Sequence, residues 1–439
     1  MFKIFANAWR VDDIRRKLLF ILLLLFIFRF GSQLPLPGID LNWLDAVRGG
    51  GEGFDQGTAM TIFNLIAGGG LGSLFAMGIA PYITASIIMQ LLTYAIPKFS
   101  EMKKEGEDGQ KKLQKITRYM AVVLAALQAA ATVFSYTNFN NSGVNLFREG
   151  HQNIFVYALA TIAMMSGTIF IMWLAELITE KGIGQGASFL IFANILAALP
   201  AGVFMLWNMM SEAPLWGTVQ VVVLLVVFLL IIAFVVRVHE GERRIPVQYS
   251  RKGGIRDGVA PQSHLPIKVN MAGVLSIIFA MSLLQFPMQI SMFIPGEPTG
   301  GFATVLEWLN WTHPFGLFLY IALIFMFTHF YTSFAVNPRE MAENLKKNGG
   351  FIAGIRPGEE TTKFIQKTVN RLAWIGAIFY SIIAVTPILL DIILSAITGT
   401  ELHLGFGGTS LLIVTGVALE FVKQLESQLL MRHYKGFLN

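Results

Sequence analysis

Few residues in this sequence have the types and spacing that catalysis or metal binding requires. The segment GIGQGAS, Gly182 to Ser188, resembles a glycine-rich phosphate loop. It follows a long apolar run rather than a strand, and no acidic residue lies at the distance expected in a nucleotide-binding unit. A tight connection between two helices is therefore the favoured interpretation. The histidines show no HExxH spacing, no GxSxG elbow is present, and the chain has no cysteine. The sequence predicts no catalytic site, no metal site and no cofactor.

Two acidic residues lie at the ends of long apolar segments. Glu176 ends the fourth such segment and Asp391 the ninth. Ionisable residues inside a membrane are functional candidates, but both positions are close enough to an interface for water to solvate them. An ion-coupled carrier normally needs a charge deeper in the membrane, so this pattern weighs against that class of protein.

The composition predicts a protein that crosses the membrane several times. Hydrophobic residues make up 54% of the chain, charged residues only 14%, and the mean hydropathy is +0.60. A soluble domain carries about 25% charged residues, and a membrane-spanning helix needs about 20 apolar residues. Phe2, Phe5 and Trp9 indicate a short amphipathic helix on the membrane surface. Ten spans are predicted, near 18–38, 74–96, 116–137, 153–178, 184–208, 217–238, 269–293, 314–335, 370–395 and 405–424.

A glycine-rich half-span precedes the second predicted span. Residues 58–73 are too few to cross the membrane, and Gly68, Gly69 and Gly70 interrupt them, with Pro81 following in the next segment. Glycine costs about 1 kcal/mol and proline about 3 kcal/mol in a helix interior. We expect this half-span to enter the membrane and turn back, which requires protein or a water-filled cavity around it.

The distribution of basic residues orients the chain. All but three of the 33 lysines and arginines lie in or beside the two termini and the loops on one side. The positive-inside rule therefore places both termini in the cytoplasm. The ten spans also divide into two groups of five, residues 1–210 and 211–439. Because each group has an odd number of spans, the two groups would be inverted relative to one another.

Two cytoplasmic loops, 239–268 and 336–369, are longer than the connection of neighbouring helices requires. Arg356 precedes Pro357 and Gly358, a sequence that favours an extended residue followed by a turn, so Arg356 should project from a loop tip. The charge alone is equally consistent with positive-inside bias and contact with lipid headgroups. The length of the loops favours a binding partner that is acidic or carries phosphate.

Several segments resemble the bacterial SecY family of protein-conducting channels. They are GIAPYITASIIMQLL, HLPIKVNMAGV, NPREMAENLKK, GIRPGE and FGGTSLLIV, and the resemblance extends from the first span to the tenth. It implies an all-α polytopic membrane protein with ten transmembrane helices in two inverted five-helix halves around a central pore. A re-entrant plug half-helix, about residues 58–71, would close this pore. It also implies a bacterial cytoplasmic membrane location and a channel, not an enzyme, that passes unfolded secretory polypeptides and releases hydrophobic segments sideways into lipid.

The same resemblance implies roles for individual residues. The pore ring would be Ile79, Ile83, Ile191, Ile278 and Ile413. A sixth ring position, usually bulky, is Ala187 here, which leaves the tightness of the ring open. The plug and its hinge would include Phe63, Asn64, Gly68, Gly69 and Gly70. The lateral gate would include Thr84, Gln128, Gln285 and Phe286, and the docking loops Arg243, Arg244, Arg256 and Arg356.

The implied partners are the SecE and SecG subunits, the SecA motor ATPase, the ribosome through its RNA, signal sequences and nascent chains, and membrane lipids.

Two alternative functions remain open when the residues are considered without the resemblance. A secondary transporter for small solutes also uses inverted halves and broken helices, but it predicts a polar midplane site where this chain has chiefly isoleucines. A membrane scaffold would need neither plug nor gate, and glycines in a membrane helix can simply permit close packing.

Overall fold

Helices dominate the structure, a computed structural model. It describes residues 2–39, 72–138, 147, 153–212, 214–249, 263–269, 271, 273–291, 300–310, 313–398 and 408–435. The first half contains α1 (Phe2–Arg10), α2 (Asp12–Gly31), α3 (Ala80–Ala95), α4 (Pro97–Lys104), α5 (Glu107–Asn138), α6 (Ile154–Lys181) and α7 (Gly186–Glu212). The second half contains α8 (Pro214–Glu240), β1 (Glu242–Tyr249), β2 (Ser263–Lys268), α9 (Leu275–Ser291), α10 (Gly301–Leu309), α11 (Pro314–Ala335), α12 (Pro338–Lys347), β3 (Gly350–Ile352), α13 (Glu359–Thr398) and α14 (Gly408–Lys435).

Each of the ten predicted spans overlaps one of these helices. Within the described residues, six helical stretches are long and apolar enough to cross a membrane. The helices extend beyond the apolar runs where charged residues continue them, as at the starts of α2, α5 and α13. Hydropathy detects only the part of a helix that lies in hydrocarbon, so the predicted spans of these three helices begin several residues late.

The second predicted span begins later than expected, at Ala80 rather than near residue 74. The preceding residues form turns, in which Gly72 (φ 75°) and Gly78 (φ 51°) adopt left-handed backbone conformations. Such conformations are costly for other residues. The segment is also tied to the end of the first span, because Leu36 N donates to Gly72 O (2.9 Å) and Leu74 N to Leu34 O (2.8 Å).

The two halves contact each other on two sides. On one side, α7 packs against α8 and α14. On the other side, α9 contacts both α3 and α5. We call this second contact, between α3 and α5 of the first half and α9 and α11 of the second, the lateral seam. Large apolar side chains on outward faces, such as Phe26, Leu229 and Phe318, are exposed, as expected where a helix faces lipid.

The described parts of the two long loops that the sequence predicts to be cytoplasmic form one small folded unit, named the cytoplasmic unit after that prediction. This folded unit was not predicted from the sequence. Three strands pair in the order β2–β1–β3, with Arg244 opposite Pro266 and Val247 opposite Ile352. Ile245, Val247 and Ile352 are buried against residues of α12 and α13. Pro266 lies on the edge strand β2, where a residue without an N–H is tolerated and discourages further strand pairing. The described part of the protein is thus helical, with one small sheet in the cytoplasmic unit.

Candidate functional site

The five isoleucines expected in the pore ring lie together in one cluster of buried apolar residues. Ile79 immediately precedes α3, and Ile83 lies one turn further on, where its N–H donates to Ile79 O (3.1 Å). The others belong to α7 (Ile191), α9 (Ile278) and α14 (Ile413). None is more than 7% exposed. Ala187 is half-buried and packs against the same cluster. Residues from both halves therefore meet here, while their role as a ring remains a prediction.

A large cavity adjoins this cluster on the side of the cytoplasmic loops. Its volume is about 1030 Å³, which is room for several tens of water molecules at about 30 Å³ each. Ile278 and Ile413 line it, so the cavity reaches the buried isoleucines directly. Its other walls come from both halves of the chain. The first half contributes Gln185 and Ser188. The second half contributes Pro266, Ile267 and Lys268 of β2, Glu340 and Asn344 of α12 with its N-cap Asn337, and Glu420, Lys423 and Gln424 of α14.

Charged groups line this cavity. Lys423 Nζ on α14 donates to His239 O at the end of α8 (3.2 Å), which joins the two helices. Lys103 on α4 also lines the cavity, and partial burial lowers the pKa of its ammonium group below the usual value. The lining of the cavity thus combines charged groups with two of the buried isoleucines. No local sequence pattern indicates it, because distant segments form its walls.

The helices of the lateral seam carry the four residues expected in the gate. Thr84 lies on α3, Gln128 on α5, and Gln285 and Phe286 on α9, and these three helices contact one another. The Thr84 hydroxyl donates to Ala80 O of its own helix (3.1 Å). Gln285 is only 8% exposed, and its Nε2 has no hydrogen-bond partner among the described residues. A buried amide without a partner costs free energy.

The basic loop residues lie on the folded cytoplasmic unit. Arg243 and Arg244 are exposed on β1, and Arg244 Nε pairs with Glu242 Oε1 (2.6 Å). Arg356 is exposed in the turn after β3, as predicted from the following proline. Thr361 Oγ1 donates to Arg356 O (2.9 Å), which fixes the backbone of the turn. Arg256 lies outside the described residues.

The plug and hinge residues also lie outside the described residues. These are Phe63, Asn64, Gly68, Gly69 and Gly70. What the structure does describe is the anchor that follows them, where Ser73 forms an isolated β-bridge with Pro35. The predicted hinge therefore precedes a fixed point of the chain.

Two other sequence candidates have structural roles. Glu176 Oε1 pairs with Arg118 Nε (2.6 Å), which joins α5 and α6, and the Glu176 side chain is 18% exposed. The segment GIGQGAS forms the tight connection between α6 and α7, as predicted. Gly184 has a left-handed φ of 94°, Gly186 N donates to Thr179 Oγ1 (2.9 Å), and a side chain at Gly186 would collide with Ala175 O. No group of residues suited to hold a metal ion occurs in the described part of the chain.

Comparison with known proteins gives a family assignment. The SecY family model matches residues 73–422. The chain belongs to the SecY family. The protein translocase subunit SecY of Halalkalibacterium halodurans is 42% identical to it, over 100% of both chains.

Solved structures share the fold at low sequence identity. One described as the structure of a protein conducting channel has a TM-score of 0.65 at 17% identity, covering 93% of this chain and 90% of that one. Sec61 in the canine ribosome-channel complex from the endoplasmic reticulum has a TM-score of 0.63 at 16% identity, with the same coverage. The SecY fold and the apolar helices make this chain a multi-pass membrane protein.

Proposed function

This chain of the SecY family is a protein-conducting channel, and we propose that it lies in a bacterial cytoplasmic membrane and passes unfolded secretory polypeptides between its five ring isoleucines. One observation carries the proposal: Ile278 and Ile413 are at once part of the buried cluster between the halves and part of the wall of the large polar cavity. A charged side chain costs about 2.5–3.5 kcal/mol at the membrane centre, so a polar polypeptide needs an aqueous route. The cavity supplies that route as far as the cluster.

An apolar constriction suits the passage of polypeptides. It holds back ions by excluding water, and it offers passing side chains no hydrogen bonds that would retain them. Isoleucine side chains on different helices can separate when the halves move, because few directional bonds hold them. The glycine-rich plug, about residues 58–71, would add a second closure from outside.

Hydrophobic segments would leave through the lateral seam into lipid. The unpartnered amide of Gln285 and the internally bonded hydroxyl of Thr84 contribute little to closing that seam. An apolar signal segment that enters the seam replaces these weak contacts between the helices with apolar contacts of its own. The seam thus favours segments that are apolar enough for these contacts to offset the free-energy cost of separating the helices.

The cytoplasmic unit would dock the partners that deliver polypeptides. Arg243, Arg244 and Arg356 are exposed on it, and phosphate groups of ribosomal RNA or acidic residues of the SecA motor fit this chemistry. Canine Sec61, which has the same fold, was solved as a ribosome-channel complex. SecE and SecG subunits would complete the assembly, with both termini of this chain in the cytoplasm.

The absence of native cysteines allows a direct test of the gate. Single cysteines at Thr84 and Phe286 are presented to a stalled secretory chain that carries one cysteine in its signal segment. We expect disulfide formation at both positions with a functional signal, and at least tenfold less with a signal disrupted by charged residues. The control is a cysteine at Phe318, an exposed position on the outward part of α11. Engagement of the chain without a crosslink at either seam position would contradict the gate assignment.

A further inference from the structure

An aromatic contact spans the lateral seam at its cytoplasmic end. Tyr94 in the last turn of α3 meets Phe330 of α11, with ring centroids 5.4 Å apart and ring planes at 78°. This is the edge-to-face geometry that aromatic pairs favour. The helix α3 belongs to the first half and α11 to the second. The pair therefore joins the two halves, although the residues are far apart in the sequence.

The position of the pair places it at the boundary between the membrane and the cytoplasmic unit. The helices α3 and α11 run in the same direction and end at Ala95 and Ala335, each shortly before a cytoplasmic helix that begins with proline. Tyr94 is 75% exposed, and Phe330 is half-buried. Because Tyr94 is not embedded in the core of either half, the contact can break without unpacking a helix bundle.

We propose that Tyr94 and Phe330 form a latch that holds the cytoplasmic end of the lateral seam closed, and that Tyr94 thereby sets how apolar a segment must be to open it. The inference rests on the proposed function of the seam. Further along the seam, the buried amide of Gln285 has no partner among the described residues, and the Thr84 hydroxyl bonds within α3. Because these polar groups contribute little to closure, apolar contacts close the seam, and the aromatic pair is one among them that lies at its cytoplasmic end.

The latch is tested in membranes containing the full chain with its partner subunits. A secretory reporter carries signals of stepwise decreasing hydrophobicity. We expect Tyr94→Ala to raise export of the weakest signals about two- to tenfold, the range that loss of one aromatic pair would give, with little change for the strongest signal. Tyr94→Phe should behave as the original chain, since the ring and not the hydroxyl makes the contact. Tyr119→Ala is the matched control, because Tyr119 on α5 is 73% exposed and has no ring contact among the described residues.

A double substitution separates the latch from independent effects of the two rings. If Tyr94 and Phe330 act on each other, Phe330→Ala should add no more than a small further increase to Tyr94→Ala. The proposal would be overturned if the double variant raised export by the product of the two single increases. Equal behaviour of Tyr94→Ala and Tyr119→Ala would also overturn it, as would failure of Tyr94→Phe to preserve the original threshold.

A structural readout keeps the test independent of transport. Spin labels on cysteines at Leu91 and Met326, one turn outward of the two rings on exposed faces, report the width of the seam. We expect a broader and longer distance distribution for Tyr94→Ala than for Tyr94→Phe and Tyr119→Ala. An unchanged distribution overturns the latch, whether or not the chain exports the reporter. Failure of the original chain to export even the strongest signal would instead contradict the proposed function.

Discussion

Replacing Ile278 by asparagine is expected to make the resting channel leak ions. Ile278 belongs to the isoleucine cluster and lines the cavity, so a polar group there would contact water on one side and the constriction on the other. An amide favours water over apolar surroundings by about 2 kcal/mol or more, and 1.4 kcal/mol changes an equilibrium tenfold. The hydrated fraction of the constriction, and with it the ion conductance in planar bilayers, should rise at least tenfold.

Two control substitutions distinguish a broken seal from a damaged fold. Ile278→Val keeps the position apolar and should leave the conductance low. Ile178→Asn introduces the same amide at another fully buried isoleucine of the cluster, on α6, which contributes no residue to the predicted ring. It should reduce stability without a comparable leak. Equal conductance for Ile278→Asn and Ile178→Asn would contradict the assignment of Ile278 to the seal.

Reversing the charge of Arg356 is expected to abolish most partner-driven transport. Its side chain is exposed in a turn whose backbone is fixed by the Thr361 hydroxyl, so Arg356→Glu should leave the fold intact. A hydrogen bond to a charged group contributes about 1.5–3 kcal/mol, and glutamate would replace it with repulsion of an anionic partner. Transport driven by ribosomes or by the motor ATPase should fall at least tenfold.

Salt dependence separates a specific contact from general attraction. Loss of one phosphate contact should reduce the slope of log affinity against log salt concentration by about one for ribosome binding. The control is Lys347→Glu, an exposed basic residue at the end of α12 in the same cytoplasmic unit. The same loss of transport in both variants would show that Arg356 contributes only to the net charge of the surface.

The membrane helices could be predicted because long apolar runs report burial in lipid directly. The start of α3 could not, since it depends on left-handed conformations of Gly72 and Gly78 that composition does not reveal. A signal for the sheet was present: Ile245 and Val247 alternate with Arg244, Pro246 and Gln248, the pattern of a half-buried strand. The length and basic charge of the loop, which indicate a binding surface, carry no information about its secondary structure.

The candidate site likewise has parts that could be predicted from the sequence and parts that could not. All five ring isoleucines are buried, and the pore role that the family resemblance implies for them stays a prediction. Periodicity alone could not separate them from ordinary core residues. The pairing of Glu176 with Arg118 and the contact of Tyr94 with Phe330 join separate helices. Such contacts depend on how helices pack, and no single segment of the sequence encodes them.

The most direct test of the channel itself is a crosslink between the isoleucine cluster and a polypeptide in transit. A cysteine at Ile278, the only one in the chain, is combined with secretory chains stalled at increasing lengths, each with one cysteine in its mature part. Passage between the five predicted ring isoleucines predicts a disulfide whose position along the secretory chain advances with the stalled length. A control cysteine at Ile178, which is buried in the same core but lies outside the predicted ring, should form none. If these chains engage the protein and cross the membrane without contacting position 278 at any length, the polypeptide takes another route and the pore assignment is wrong.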